Sequence, residues 1–174
     1  MEPPAAHADA DAFLSLAVER HQAPLLRYAA RLVGDHDRAR DVVQDTFVRL
    51  MSQPPALVMD HLAEWLFTVC RHRALDVLRK EGRMKAFAEG EVEQLRAPDP
   101  RPGRALERAE LRSTILARIE RLPKNQQEVI RLKFQNGFSY KEISRITALS
   151  VTNVGFLLHT AVNRLRREMA AQPE

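Results

Sequence analysis

Apolar residues recur along much of this chain at steps of three and four, the period of an amphipathic helix. Over 35–51, DHDRARDVVQDTFVRLM, they fall at Ala39, Val42, Val43, Thr46, Phe47, Leu50 and Met51 without a miss. Asp35, just after Gly34, is placed to cap that helix. A second helix, about 61–82, follows Pro54-Pro55 and sets Leu62, Leu66, Val69, Cys70, Val77 and Leu78 broadly on one side. Further on, Pro123 suits a first helical turn and Val129, Ile130, Leu132 and Phe134 supply apolar surface up to the stop at Asn136-Gly137. Ser139 and Glu142 stand in capping-box register ahead of Ile143 and Ile146, which point inward on a short helix. Thr147-Ala148-Leu149 makes a turn, Ser150 caps a last helix, and Val154, Leu158, Ala161 and Leu165 line one of its faces.

Residues 123–167 therefore have the layout of a helix-turn-helix (HTH) DNA reader. With few aromatics and almost no alternating β-branched runs, the chain is expected to be all-α, with two small helical domains. The expected divisions are a disordered N-terminus over 1–10, a first domain over 11–86, a linker over 87–106 and a second domain over 107–170. The linker stretch carries three glutamates, Pro98, Pro100 and Pro102 and no apolar period. Its 20 residues span at most about 66–72 Å extended and roughly 25 Å as coil, so two domains could reach separate sites on a large partner.

Charge sharpens this picture. The net charge is only +4, but Lys and Arg are twice as frequent as Asp and Glu over 107–169, whereas 1–86 balances. Within 1–86 the signs are segregated. The outer face of the 35–51 helix shows Asp41, Gln44, Asp45 and Arg49, while 71–85 carries Arg71, Arg73, Arg79, Lys80, Arg83 and Lys85 against Asp76 and Glu81. The first surface suits a protein partner, and the second can engage several phosphates.

Catalytic readings find little support. Cys70, His72 and Asp76 lie within two turns of one helix, but positions two apart do not share a face. The histidines are too scattered for a zinc site and no phosphate-binding glycine loop occurs, so no metal and no cofactor is expected. MEPPAAHADAD lacks the basic and apolar parts of a signal peptide and no run is long enough to cross a bilayer; with one cysteine, a cytoplasmic protein without membrane insertion is expected.

The 123–167 run resembles the promoter-reading region 4 of bacterial sigma factors of the extracytoplasmic function (ECF) type. It shares their Leu-Pro start, their Ser-aromatic-x-Glu-Ile step and their serine-capped helix ending in Leu-Arg. DVVQDTFVRL resembles region 2.2 of the same family, which docks on the beta-prime clamp helices of RNA polymerase. The resemblance implies that Asp41, Gln44, Asp45 and Arg49 contact polymerase core, with its beta-prime and beta subunits as partners. WLFTVCRHRALDVLRKEGR resembles regions 2.3 and 2.4, which hold and melt the −10 promoter element; this implies DNA contact by Arg71, His72, Arg73, Arg79, Lys80 and Arg83. The family's usual residue at position 72 is Asn, and His stands here. The strand-opening loop corresponds to about 52–61, where Asp60, His61 and Met59 are candidates to hold a flipped base. Trp65 reads mainly as a structural residue.

For the −35 element the candidate contacts are Ser150, Thr152 and Asn153, whose hydroxyls and amide can read base edges or approach a phosphate, with Lys141, Arg145 and Arg164. The family usually carries basic residues near 155 and 157; here Gly155, Phe156 and Leu157 occupy that turn, and no Lys or Arg lies between Arg145 and Arg164. Gly155 costs about 1 kcal/mol in a helix interior, which points to close approach of a backbone or side chain. Exposed Phe156 and Leu157 would suit a protein, leaving Ser150, Thr152 and Asn153 to read bases. The resemblance also implies an anti-sigma factor, of the membrane-anchored kind, that holds the chain inactive, and a linker that threads the polymerase; a plain solvated tether fits the linker equally. Two other functions remain open, a free-standing HTH regulator and a sigma-like adaptor that has lost promoter binding.

Overall fold

The computed structural model describes residues 4–82 and 106–171, with side chains over 10–82 and 111–171, and these form an N-terminal and a C-terminal unit. In the first, α1 (Pro4–Val33), α2 (His36–Met51) and α4 (Leu62–Lys80) pack on one another, with a short α3 (Pro55–Val58) and a 3-10 turn (Met59–His61) between the last two. Pro4 begins α1, where a missing N–H costs nothing, and Ala5, Ala6, Ala8 and Ala10 favour helix; most of the 1–10 stretch expected to be disordered thus belongs to α1. Gly34 ends α1 in a left-handed conformation (φ 73°) open to glycine at little steric cost, donating its N–H to the Ala30 carbonyl at 2.9 Å. Asp35 then caps α2 by accepting the Arg38 N–H at 2.8 Å.

The core of this unit joins Leu25, Tyr28, Ala29, Leu32 and Val33 of α1 to Ala39, Val42, Val43, Phe47 and Leu50 of α2 and Leu66, Phe67, Cys70, Ala74 and Leu78 of α4. Tyr28 and Phe67 meet at 5.0 Å between ring centroids. Thr46 enters this apolar layer because its hydroxyl donates to the Val42 carbonyl at 2.7 Å. The periodicity misjudged the edges of the stripe. Met51, at the last turn of α2, is 68% exposed, and in α4 the buried line runs through Phe67 and Ala74 rather than Val69 and Val77.

The second unit contains α5 (Leu106–Ile119), α6 (Lys124–Phe134), α7 (Tyr140–Thr147) and α8 (Val151–Ala170). The Gln127 amide donates to the carbonyls of Glu120 (2.9 Å) and Leu122 (2.8 Å), closing the corner from α5 into α6. Val129, Ile130, Leu132, Phe138, Ile143, Ile146, Val154, Leu157, Leu158 and Ala161 form the core. Phe134 does not join them; it ends α6 67% exposed. Leu165 is half-buried. The 87–106 segment lies outside the described residues except for Leu106, where α5 begins.

Candidate functional site

The helix-turn-helix is built by local chemistry. Ser139 accepts the Glu142 N–H at 3.3 Å while the Glu142 carboxylate accepts the Ser139 N–H at 2.7 Å, the reciprocal pair that starts α7. Thr147 is the last residue of α7 and is buried, so the turn proper is Ala148-Leu149. Ala148 adopts φ 59°, a left-handed conformation that costs a non-glycine residue about 1–2 kcal/mol. The Ser144 hydroxyl, donating to the Leu149 carbonyl at 2.5 Å, ties the turn back to α7. Ser150 then accepts the Asn153 N–H at 3.1 Å and starts α8.

Along α8, Thr152 and Asn153 are exposed beside that cap. Gly155 faces α7: a Cβ added there would lie 3.5 Å from Cε2 of Tyr140. The same ring lies under Lys133 Nζ at 5.6 Å from its centroid. The turn over 155–157 divides unexpectedly. Phe156 is 65% exposed, but Leu157 is only 6% exposed and belongs to the core, so it is no part of a protein-contact surface. Lys141 and Arg145 are exposed on α7, and Arg164 is exposed and bonded to Glu168 at 3.2 Å. Sequence reasoning missed both this pair and a second on the same helix, His159 and Asn163, whose side chains meet at 2.8 Å; the i, i+4 spacing was the available signal.

In the N-terminal unit, Asp41, Gln44 and Arg49 are exposed on the outer face of α2. Asp45 differs from them. It is half-exposed and forms an ion pair with Arg73 of α4, so one candidate for polymerase contact and one for DNA contact are bound to each other. Asp45 accepts from Nη2 of Arg73, while the buried Nε of the same guanidinium has no partner among the described residues. Local pairing also engages Arg79 of the basic stretch, which bonds to Asp76 at 2.9 Å, whereas Glu81, an acid of that stretch, is taken up by Arg38 of α2 at 3.1 Å. His72 and Lys80 are exposed and Arg71 is half-buried; Arg83 lies outside the described residues. The 52–61 segment is no open loop. Val58, 2% exposed, anchors α3, and the 3-10 turn presents Met59, Asp60 and His61 outward. Trp65 is half-buried, while Phe67 fills the core position.

Cys70 cannot act as a nucleophile. Burial pushes its thiol up to about 12, against a smaller opposing effect of a hydrogen bond with Thr46. Among the described residues no group of His, Cys, Asp and Glu could hold a metal ion, and no helix is long and apolar enough to cross a membrane. What the arrangement offers is surface: an acid- and amide-bearing helix face, a helix with cations on its second half, and a capped helix with polar groups at its N-terminal end.

Comparison with known proteins gives two family matches, Sigma-70 region 2 over residues 17–84 and Sigma-70, region 4 over residues 112–165. The ECF RNA polymerase sigma factor EcfG of Rhodopseudomonas palustris (strain TIE-1) is 31% identical over 150 residues, covering 85% of this chain and 78% of the relative. The ECF RNA polymerase sigma factor SigL of Mycobacterium tuberculosis is also 31% identical over 150 residues, covering 85% of this chain and 84% of the relative. Among solved structures, the sigma factor RpoE of Bartonella quintana, in complex with the anti-sigma factor NepR, matches in fold with a TM-score of 0.64 and 23% identity, over 91% of this chain and 98% of that one.

Proposed function

We propose a division of labour for this chain, which belongs to the sigma-70 family and, within it, to the extracytoplasmic function (ECF) group. Members of that group are transcription initiation factors rather than enzymes; they bind RNA polymerase and direct it to promoters. In the proposed division, the outer face of α2, with Asp41, Gln44 and Arg49, binds polymerase core. Asp45 contributes to that surface while holding Arg73 in place. The 3-10 turn with Asp60 and His61, and the second half of α4 with Arg71, His72, Arg79 and Lys80, engage the −10 element, together with Arg83. In the C-terminal unit Thr152 and Asn153 read base edges of the −35 element and Ser150, Lys141, Arg145 and Arg164 approach its phosphates.

The observation that carries this reading is that α2 keeps an exposed Asp41, Gln44 and Arg49 while α4, packed beside it, keeps an exposed His72 and Lys80. A protein-binding and a nucleic-acid-binding helix then share one small unit. A free-standing HTH regulator has no use for such a pair. The adaptor reading has one support, the absence of Lys and Arg from 146–163, but part of that absence has a structural cause, since position 157 points into the core. By likeness to the NepR-bound neighbour, we also propose that an anti-sigma factor sequesters the chain, and that it works in the cytoplasm where polymerase and promoters are. Co-elution of the full chain with purified core polymerase tests the first step: a complex that forms with core alone, without promoter DNA, is the expected result. Failure to bind core at micromolar concentration, with binding to duplex DNA retained, would favour the free-standing regulator.

A further inference from the structure

The buried face of α8 is set by Val154, Leu157, Leu158 and Ala161. At 3.6 residues per turn, the line opposite that face runs through Thr152, Phe156, His159 and Asn163, at steps of four, three and four within an arc of roughly 60°. α7 flanks the line on one side, where Tyr140 lies against Gly155. In a helix-turn-helix the second helix lies in the major groove, and the face turned away from the core is the one free to reach base edges there. At ~1.5 Å per residue, His159 lies about 10 Å along the helix from Thr152, inside a groove about 12 Å wide, whereas Asn163 lies about 16 Å away, at its edge.

We propose that His159 is a base-reading, specificity-determining residue of the distal promoter element, and that Asn163 is its positioning residue. The inference rests on the reading that α8 contacts that element. The geometry supplies both roles. The Asn163 side chain meets His159 Nε2 at 2.8 Å and fixes the rotation of an imidazole that is otherwise exposed. With the amide N–H donating to Nε2, the ring proton sits on Nδ1 and offers one donor to an acceptor such as guanine O6 or N7, or thymine O4. No cation shares this line, so discrimination there is not masked by sequence-independent attraction to phosphate.

The test uses the full chain with core polymerase on promoters whose distal element is randomised, with initiating sequences counted. His159→Ala should lower discrimination at one base pair about three- to tenfold, the value of one hydrogen bond to a neutral group. Asn163→Ala should weaken preference at that same pair by a smaller factor, while Asn153→Ala should flatten a different one. His159→Gln, which keeps a donor and the helix, should retain part of the preference and guards against loss of folding in the alanine variant. The inference is overturned if His159→Ala leaves every preference intact, or lowers all positions evenly as a loss of helix stability would. An unaltered His159→Ala profile beside a flattened Asn153→Ala profile sinks this inference alone. Absence of any distal preference in the unmodified chain sinks the promoter reading of α8 and this inference with it.

Discussion

Replacing Gly155 with alanine separates two reasons for a glycine inside a recognition helix. Glycine in a helix interior costs about 0.5–1 kcal/mol relative to alanine, so it persists where a side chain would clash or where the position carries no such demand. Here the first atom of a side chain would meet Tyr140 Cε2 at 3.5 Å and Cδ2 at 3.8 Å, ordinary van der Waals distances. Alanine should therefore fit against the ring without moving it, and the helix should gain nearly the whole propensity difference. For a unit of this size that gain corresponds to a rise of about 2–8 °C in the transition of the C-terminal unit, read by calorimetry on the full chain. Duplex binding should stay within about twofold, because Thr152, Asn153 and His159 keep their places. A fall in melting temperature would show that Tyr140 and α8 are packed more tightly than these distances state, and the account of Gly155 would be wrong.

Leu157→Arg, which restores a basic residue usual in the family, should destabilise the C-terminal unit; it forfeits about 1.5–3 kcal/mol of leucine burial and forces a guanidinium toward the core, a loss that a urea midpoint will show. Asp41→Arg should abolish co-elution with core polymerase while shifting stability by less than about 0.5 kcal/mol, since the side chain is exposed; normal co-elution would remove α2 from the interface. Asp45→Ala should behave differently, costing about 0.5–1 kcal/mol after discounting for solvent, because the pair is half-exposed (30% at Arg73, 49% at Asp45) and the variant leaves that guanidinium without it. For Cys70, the folded thiol titrates near 12, above its unfolded value, so the stability it contributes is full below the unfolded value and is lost as pH rises toward 12. Cys70→Ala should flatten the alkaline limb of a stability–pH curve, and a thiol reagent at pH 8 should label the native chain far more slowly than the unfolded one.

The elements that the sequence made legible are those fixed within a few residues. Asp35, Ser139 with Glu142, and Ser150 all cap as their spacing predicts, because a cap is a contact between neighbours three apart. The misjudged positions depend on what packs across from a helix. Leu157 looked exposed from the Gly155-Phe156-Leu157 triplet, yet it turns inward beside Leu158. Met51 and Phe134 fit their stripes but sit on last turns, where the apolar layer has run out. The Asp45–Arg73 pair joins residues far apart in the chain, so neither helix read alone reveals that a candidate acid and a candidate cation are paired with each other. Likewise 52–61, Pro-rich and aperiodic, read as a loop, although Pro55 starts a helical turn that Val58 anchors.

The most direct test of the central claim is run-off transcription with purified core polymerase and the full chain on a pool of genomic promoters. The account predicts new start sites that share a two-part element, with the distal part altered in preference by Asn153→Ala and core recruitment lost with Asp41→Arg. A pool that yields no start sites beyond those of core alone, while the chain binds core or duplex DNA on its own, would contradict it.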